Sequence, residues 1–212
     1  MIKHNRHGDL FSLIRAGFPT FICGPTGSSK TTTLENIAKE LNIPCYKKLM
    51  GERMTETPLV GYMDVSGKYI PGFCHKPFTE GGLMIFDEID NGNPNVNLVI
   101  NGLIDGSFHF PYGMAIAHPS LKIVATANTD GSGADLAFVG RNKIDVALMN
   151  RFAFLRWPYD SAMEDNIAIE EYNTHGGKNK ETLAKAISAF RKVREALKEL
   201  NSPHILSPRN LK

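Results

Sequence analysis

The segment Gly24 to Thr31, GPTGSSKT, constrains this chain more than any other stretch. It comes after an apolar run, Phe18 to Cys23, long enough for one buried strand. It opens a helical pattern, Lys30 to Leu41, in which Leu34, Ile37, Ala38 and Leu41 share a face and Asn42 supplies a stop. A Gly-rich turn between a strand and a helix N-terminus can surround phosphate oxygens. The first amides of the helix have no intrahelical acceptor, and its dipole favours an anion there. The segment fits GxxxxGK[ST] except at Ser29, which stands where the last glycine is expected. Serine is small, so the loop is expected to survive. Gly24, Pro25, Thr26, Gly27, Ser28, Ser29, Lys30, Thr31 and Thr32 are therefore candidate contacts for ATP. Lys30 would neutralise the β- and γ-phosphates, and the Thr31 hydroxyl would ligate Mg²⁺. A Gly/Ser turn that only starts a helix is the competing reading of the motif by itself.

Further apolar runs repeat the strand pattern. Leu83 to Phe86 ends in acids, Leu121 to Ala127 ends at Asn128, and Phe152 to Trp157 ends at Pro158. Strands alternating with helical segments predict a parallel α/β sheet with its chemistry at the carboxyl ends of the strands. Upstream, Asp9 is placed to cap a short amphipathic helix, DLFSLIRAG, that Gly17 ends. Two stretches interrupt the alternation, Gly61 to Gly72 and Gly106 to His118, and both read as inserted hairpins. After Pro158 the pattern turns helical, Ser161 to Tyr172 and Glu181 to Leu200, so residues 1–157 are expected to form a core and 158–212 a small all-α unit.

The run LMIFDEID places Asp87 and Glu88 at the end of an expected central strand, where two carboxylates are costly unless used. Asp87 suits Mg²⁺, directly or through water, and Glu88 can orient and deprotonate an attacking water. Alternatively the acids start a helix: Asp90 and Asn93 precede the helical run Pro94 to Ile104, and Asp90 reads as a cap only.

Composition narrows the partners. With 42% hydrophobic and 22% charged residues over 212 positions, the chain can bury an ordinary core. Its 24 basic and 22 acidic residues are interspersed, without the basic block of a nucleic-acid arm. Cys23, Cys45 and Cys74 have no zinc or disulfide spacing. His4 and His7 fall at a terminus expected to be flexible, and no other histidine has a ligand spacing. No apolar run approaches the roughly 18 residues of a membrane span. A cytoplasmic protein with Mg²⁺ as its metal is expected.

Taken together, GPTGSSKT, LMIFDEID, the order PLVGYMDVSGKYIPG, PFTEGG, INGLIDGSFHF, and the later ANT, ALMNRF and ILSPRN resemble the AAA+ superfamily. Within it the resemblance is to the branch of MoxR-like, dynein-related and metal-chelatase-type ATPases, and it spans nearly the whole chain. It implies a three-layer α/β/α P-loop fold with hairpins inserted in the second helix and before the fourth strand, and a helical lid over 158–212. In MoxR-like members the residue before the loop lysine is often small and not glycine, as Ser29 is here. The resemblance also gives Asn128 the role of sensor 1, Arg151 that of an arginine finger reaching a neighbour's ATP, and Arg209 that of sensor 2, with Pro208 starting its helix. Arg141 is a rival for the trans role. A lid of this kind should continue beyond Arg209, so the lid is expected to be incomplete.

These features point to a ring-forming ATPase, expected as a hexamer of identical copies, that remodels a protein client. By resemblance the client carries a von Willebrand A domain. Phe108, Phe110, Tyr112 and Met114 on the second hairpin could grip a polypeptide or simply pack on their own domain. A nucleic-acid motor is disfavoured, because Gly106 to His118 has no Lys or Arg and Gly61 to Gly72 has only Lys68. A nucleotide switch that barely hydrolyses ATP is a third class.

Overall fold

A computed structural model of the protein describes residues 3–134, 138–176, 179–200 and 202–211. Helix α1 (His7–Ala16) leads into β1 (Thr20–Cys23) and, past the Gly-rich loop, α2 (Lys30–Glu40). Next come β2 (Cys45–Leu49), α3 (Thr57–Val60), a hairpin of β3 (Gly61–Met63) and β4 (Tyr69–Pro71), and α4 (His75–Glu80). After these stand β5 (Gly82–Asp87), α5 (Pro94–Ile104), a second hairpin of β6 (Ser107–Phe110) and β7 (Gly113–Ile116), and β8 (Leu121–Ala127). The chain continues through α6 (Val146–Met149), β9 (Ala153–Arg156), α7 (Ser161–Thr174), α8 (Lys180–Glu199) and a 3-10 turn at Pro208–Leu211.

Five strands form one parallel sheet in the order β2-β5-β8-β1-β9. Its two faces are sorted by the two-residue period of a strand. Phe21, Met84, Phe86, Ile123 and Ala125 face a layer containing Phe78, Val99, Ile100 and Phe110, whereas Ile22, Leu83, Ile85 and Val124 face Leu10, Ile14, Leu34 and Ile37. Leu83, Met84, Ile85 and Phe86 are all fully buried. Each such side chain contributes roughly 1.5–3 kcal/mol. That is why this short run sits in the sheet interior, and why its last residue, Asp87, is delivered to a fixed place. The architecture is the expected three-layer α/β/α sheet with two inserted hairpins.

Two local expectations are corrected, and one strand has no counterpart among the expected apolar runs. Strand β2 carries no apolar run: Cys45-Tyr-Lys-Lys-Leu is an edge strand that among the described residues pairs with β5 alone, and its lysines suit an edge that must not recruit other strands. Helix α1 begins before Asp9, whose carboxylate accepts from Arg6 Nε at 2.6 Å within the first turn and caps nothing. His4 is buried, not flexible. It stacks on Trp157 at 3.9 Å, its Nε2 donates to the Pro158 carbonyl, and its Nδ1 accepts from Arg6 N. Burial lowers its pKa, in keeping with the neutral ring these bonds require.

Candidate functional site

The Gly-rich loop leaves β1 between its two neighbours. Gly24 N donates to Ala127 O and Trp157 N to Cys23 O. A Cβ on Gly24 would lie 2.0 Å from the Trp157 carbonyl oxygen, so only glycine fits there. Trp157 Nε1 donates to Ser28 O and Tyr159 Oη to Thr26 O, each at 2.9 Å. Because a trans peptide holds C=O and N–H antiparallel, these two bonds turn the amides of Gly27 and Ser29 the opposite way. Gly27 takes φ +74°, and a Cβ on it would meet Ser207 at 2.9 Å and Arg209 Cγ at 3.5 Å, which places the C-terminal turn against the loop. Ser29 has φ 64° and ψ 23°, the left-handed region that glycine fills without strain; its carbonyl accepts from Thr33 N and Oγ1 as α2 begins.

Lys30 is 8% exposed. Its Nζ donates to Gly24 O (2.5 Å), Pro25 O (3.0 Å) and Asn128 Oδ1 (3.0 Å). Burial pushes its pKa down to about 8, against the upward pull of Cys23, Asp87, Asp90 and Glu88. Thr31 Oγ1 donates toward both oxygens of Asp87, at 3.1 and 3.3 Å.

Thr126 joins the two acids. Its hydroxyl, fully buried near the carboxyl end of β8, donates to Asp87 Oδ1 at 2.5 Å and accepts from Glu88 N at 3.2 Å. The register of β5 and β8 sets Phe86 opposite Ala125, which brings Thr126 level with Asp87. Glu88 turns off the strand in the left-handed region, φ 55° and ψ 48°, an uncommon conformation for a residue with a Cβ. The role of Thr126 is missed by motif reading, although a lone hydroxyl inside the apolar run IVATA is a signal, since buried polar groups need partners.

The expectation for Asp90 is corrected. It is not the cap of α5: Asn93 is, accepting from Asn95 N at 3.0 Å. Asp90 is 0% exposed. Its Oδ2 accepts from Asn128 N, Thr129 N and Thr129 Oγ1, and its Oδ1 from Arg141 Nη1 at 3.2 Å. Arg141 also donates from Nη1 and Nη2 to Glu88 Oε2, both at 3.1 Å. Arg141 therefore stands beside the acids of its own chain.

Thr26 to Thr32, Asp87, Glu88, Thr126, Asn128 and Arg209 wall one cleft at the carboxyl ends of β1, β5 and β8. Arg151 lies apart from it, with Nε and Nη2 on the Asp105 carboxylate and Nη1 on Ala147 O at an exposed surface. Larger cavities lie elsewhere, about 700 Å³ between Pro25, Tyr159 and α8 and about 580 Å³ between α7 and α8. The smaller cleft gathers the convergent charged and polar groups. Among the described residues no cluster of three or more His, Cys, Asp or Glu could hold a metal ion. An ion in the cleft would rest on one carboxylate and one hydroxyl, with phosphate and water completing its shell, which suits Mg²⁺. No helix among the described residues is long and apolar enough to cross a membrane.

Comparison with known proteins agrees with this geometry. The chain is 26% identical over 218 residues to the aerobic cobaltochelatase subunit CobS of Sinorhizobium sp, across 93% of this chain and 65% of CobS. It is 25% identical over 189 residues to YojN of Bacillus subtilis, across 78% of this chain and 60% of YojN. It thus spans somewhat under two thirds of the length of both. The fold matches NtrX of Brucella abortus in complex with ADP, with TM-score 0.56 and 14% identity, over 84% of this chain and 43% of NtrX. Residues 19–152 match the model of the AAA domain, dynein-related subfamily. This chain belongs to the dynein-related AAA domain family.

Proposed function

We propose that this chain binds Mg²⁺-ATP in the cleft and hydrolyses it to ADP and phosphate as one subunit of a ring. One observation carries the reading: Lys30, Thr31, Asp87, Glu88 and Asn128, from three distant segments, meet at the ends of adjacent parallel strands. The ADP held by NtrX, whose fold is similar, adds support.

Lys30 would exchange its carbonyl partners for β- and γ-phosphate oxygens. Thr31 and Asp87 would hold Mg²⁺, which when bound offsets charge on the phosphate oxygens. Glu88 takes a proton from a water whose oxygen attacks the γ-phosphorus, while the bond to the β–γ bridging oxygen breaks and ADP leaves. The Asn128 amide orients that water. Arg209, at the cleft of its own chain, acts on the γ-phosphate in cis as part of a lid formed by residues 158–212. Arg151 is exposed on the outside, where it would reach a neighbouring subunit's ATP and stabilise charge in the transition state.

The ring, expected to hold six copies, would remodel a protein client through its hairpins. Tyr62, Met63 and Val65 on the first and Tyr112, Met114 and Ile116 on the second are exposed, and an aromatic contact between Tyr69 and Tyr112 at 4.7 Å ties the two together. That CobS is a subunit of a larger enzyme supports a protein partner, and the resemblance points to one with a von Willebrand A domain.

Phosphate release with ATP and Mg²⁺ tests the reading. Glu88→Gln should lower turnover about 10²- to 10⁴-fold, the range of a lost general base, while retaining ATP and stabilising the assembly for mass measurement. A wild type that releases no phosphate at any protein concentration would refute it.

A further inference from the structure

Asp90 and Arg141 are the charged pair behind the cleft; Asp90 ends the run LMIFDEID without a role there beyond a cap, and Arg141 lies outside the motifs. Asp90 is completely buried, and Arg141 keeps 14% of its side chain exposed. Replacing a buried ion pair by apolar groups is often neutral or stabilising, so the pair gains the fold little that hydrophobic residues would not. What it has is connectivity. One oxygen of Asp90 holds the backbone of Asn128 and Thr129, where β8 ends, and the other holds Arg141, which grips Glu88. The loop that carries Arg141 is pinned to the same place, with Asn142 N on Asp90 O at 2.7 Å and Asn142 Nδ2 on Gly92 O at 2.9 Å.

Glu88 needs such support. Its side chain is 38% exposed and leaves a left-handed backbone, with several rotatable bonds between Cα and the carboxylate. Two guanidinium nitrogens on Oε2 hold that oxygen in place, and among the described residues Oε1 is left to take a proton. The same Asp90 anchors the backbone N–H of Asn128, whose side-chain Oδ1 accepts from Lys30 Nζ.

We infer that Asp90 and Arg141 are positioning residues for ATP hydrolysis that act in cis: Asp90 fixes Asn128 and Arg141 to one point, and Arg141 sets the Glu88 carboxylate against the amide. The inference rests on the ATPase reading. It takes Arg141 out of the trans role, because its guanidinium is engaged on its own chain's two acids.

The test compares wild type, Arg141→Ala and Arg141→Lys in steady-state ATP hydrolysis and in binding of a non-hydrolysable ATP analogue. Misplacement of a reacting group by about 1 Å costs about a hundredfold, so Arg141→Ala should lose about tenfold to a hundredfold in kcat, with KM and analogue affinity within about twofold. Arg141→Lys keeps the charge but not the fork, and should stay near the alanine variant. A general packing defect would instead weaken analogue binding together with kcat. Should Arg141→Ala fail to fold, Arg141→Gln, which retains a donor for Asp90, carries the same comparison.

Mixing Arg141→Ala with Glu88→Gln separates cis from trans. In cis, neither partner supplies a supported Glu88, and the mixture is no more active than its parts. Recovery of activity on mixing would show that Arg141 crosses to a neighbour and would overturn the inference. So would an Arg141→Ala variant with wild-type kcat. An inactive wild type overturns the ATPase reading and the inference with it, whereas an active wild type beside an unaffected Arg141→Ala overturns the inference alone.

Discussion

A lysine ammonium shut away from water keeps its proton only if anions or carbonyl dipoles replace the lost solvent. Around Lys30 they do so incompletely, which is why burial holds its pKa near 8 instead of 10.5. The folded pKa lies below the unfolded one, so the charged form is disfavoured by folding, and the free protein sheds this proton as pH rises through about 8. A bound triphosphate favours the charged form. ATP-analogue affinity should therefore be greatest below about pH 8 and fall by up to about tenfold per pH unit above it, with proton uptake on binding. Titration calorimetry in buffers of differing ionisation enthalpy reads both, and a Lys30→Ala variant should bind more weakly and lose the dependence. Lys30, Thr31 and Asp87 stand out as candidates because their residue types sit in short local patterns, whereas Asn128 was singled out by resemblance. The roles of Thr126 and Arg141 were not legible, because their partners lie 38 to 53 positions away and only strand register and loop path bring them in.

At the scale of elements, the loop depends on the segment just past β9. Trp157 and Tyr159 hold two of its carbonyls, and the Trp157 backbone passes so close to Gly24 that no side chain fits. Gly24→Ala should destabilise the fold by about 3 kcal/mol or more, the upper range for overpacking, because the obstacle is backbone and cannot rotate away. Urea denaturation measures this, and a variant of wild-type stability would mean that β9 gives way. The strands that carry apolar runs were all recognisable, as were both hairpins, whose turns fall at Ser66-Gly67 and Pro111-Tyr112-Gly113. Strand β2 escaped because an edge strand needs only one covered face and tolerates lysine. The cap of α5 was misassigned for a related reason: Asp90 and Asn93 both precede the helix, and only tertiary packing turns one of them inward.

For the whole molecule, the two arginines separate. Arg141 is paired with Glu88 and Asp90 of its own chain, and Arg151 lies on the outer surface with Asp105. If Arg151 completes a neighbour's site, specific activity should rise with protein concentration, and Arg151→Ala should abolish that rise while leaving the melting temperature nearly unchanged, since exposed ion pairs contribute little. Activity per subunit that is independent of concentration and unaffected by Arg151→Ala would remove the trans role. The sequence alone determined the fold class and picked out the Gly-rich loop and the strand-end acids as candidates. Hydrophobic periodicity and glycine chemistry act over a few residues and are written in the local string. Only the tertiary structure decided that Asp90 is a buried junction, that Arg141 serves its own chain, and that Thr126 links Asp87 to Glu88. Those outcomes arise from the side-by-side register of parallel strands and the path of a long loop, and no local pattern of residues encodes either.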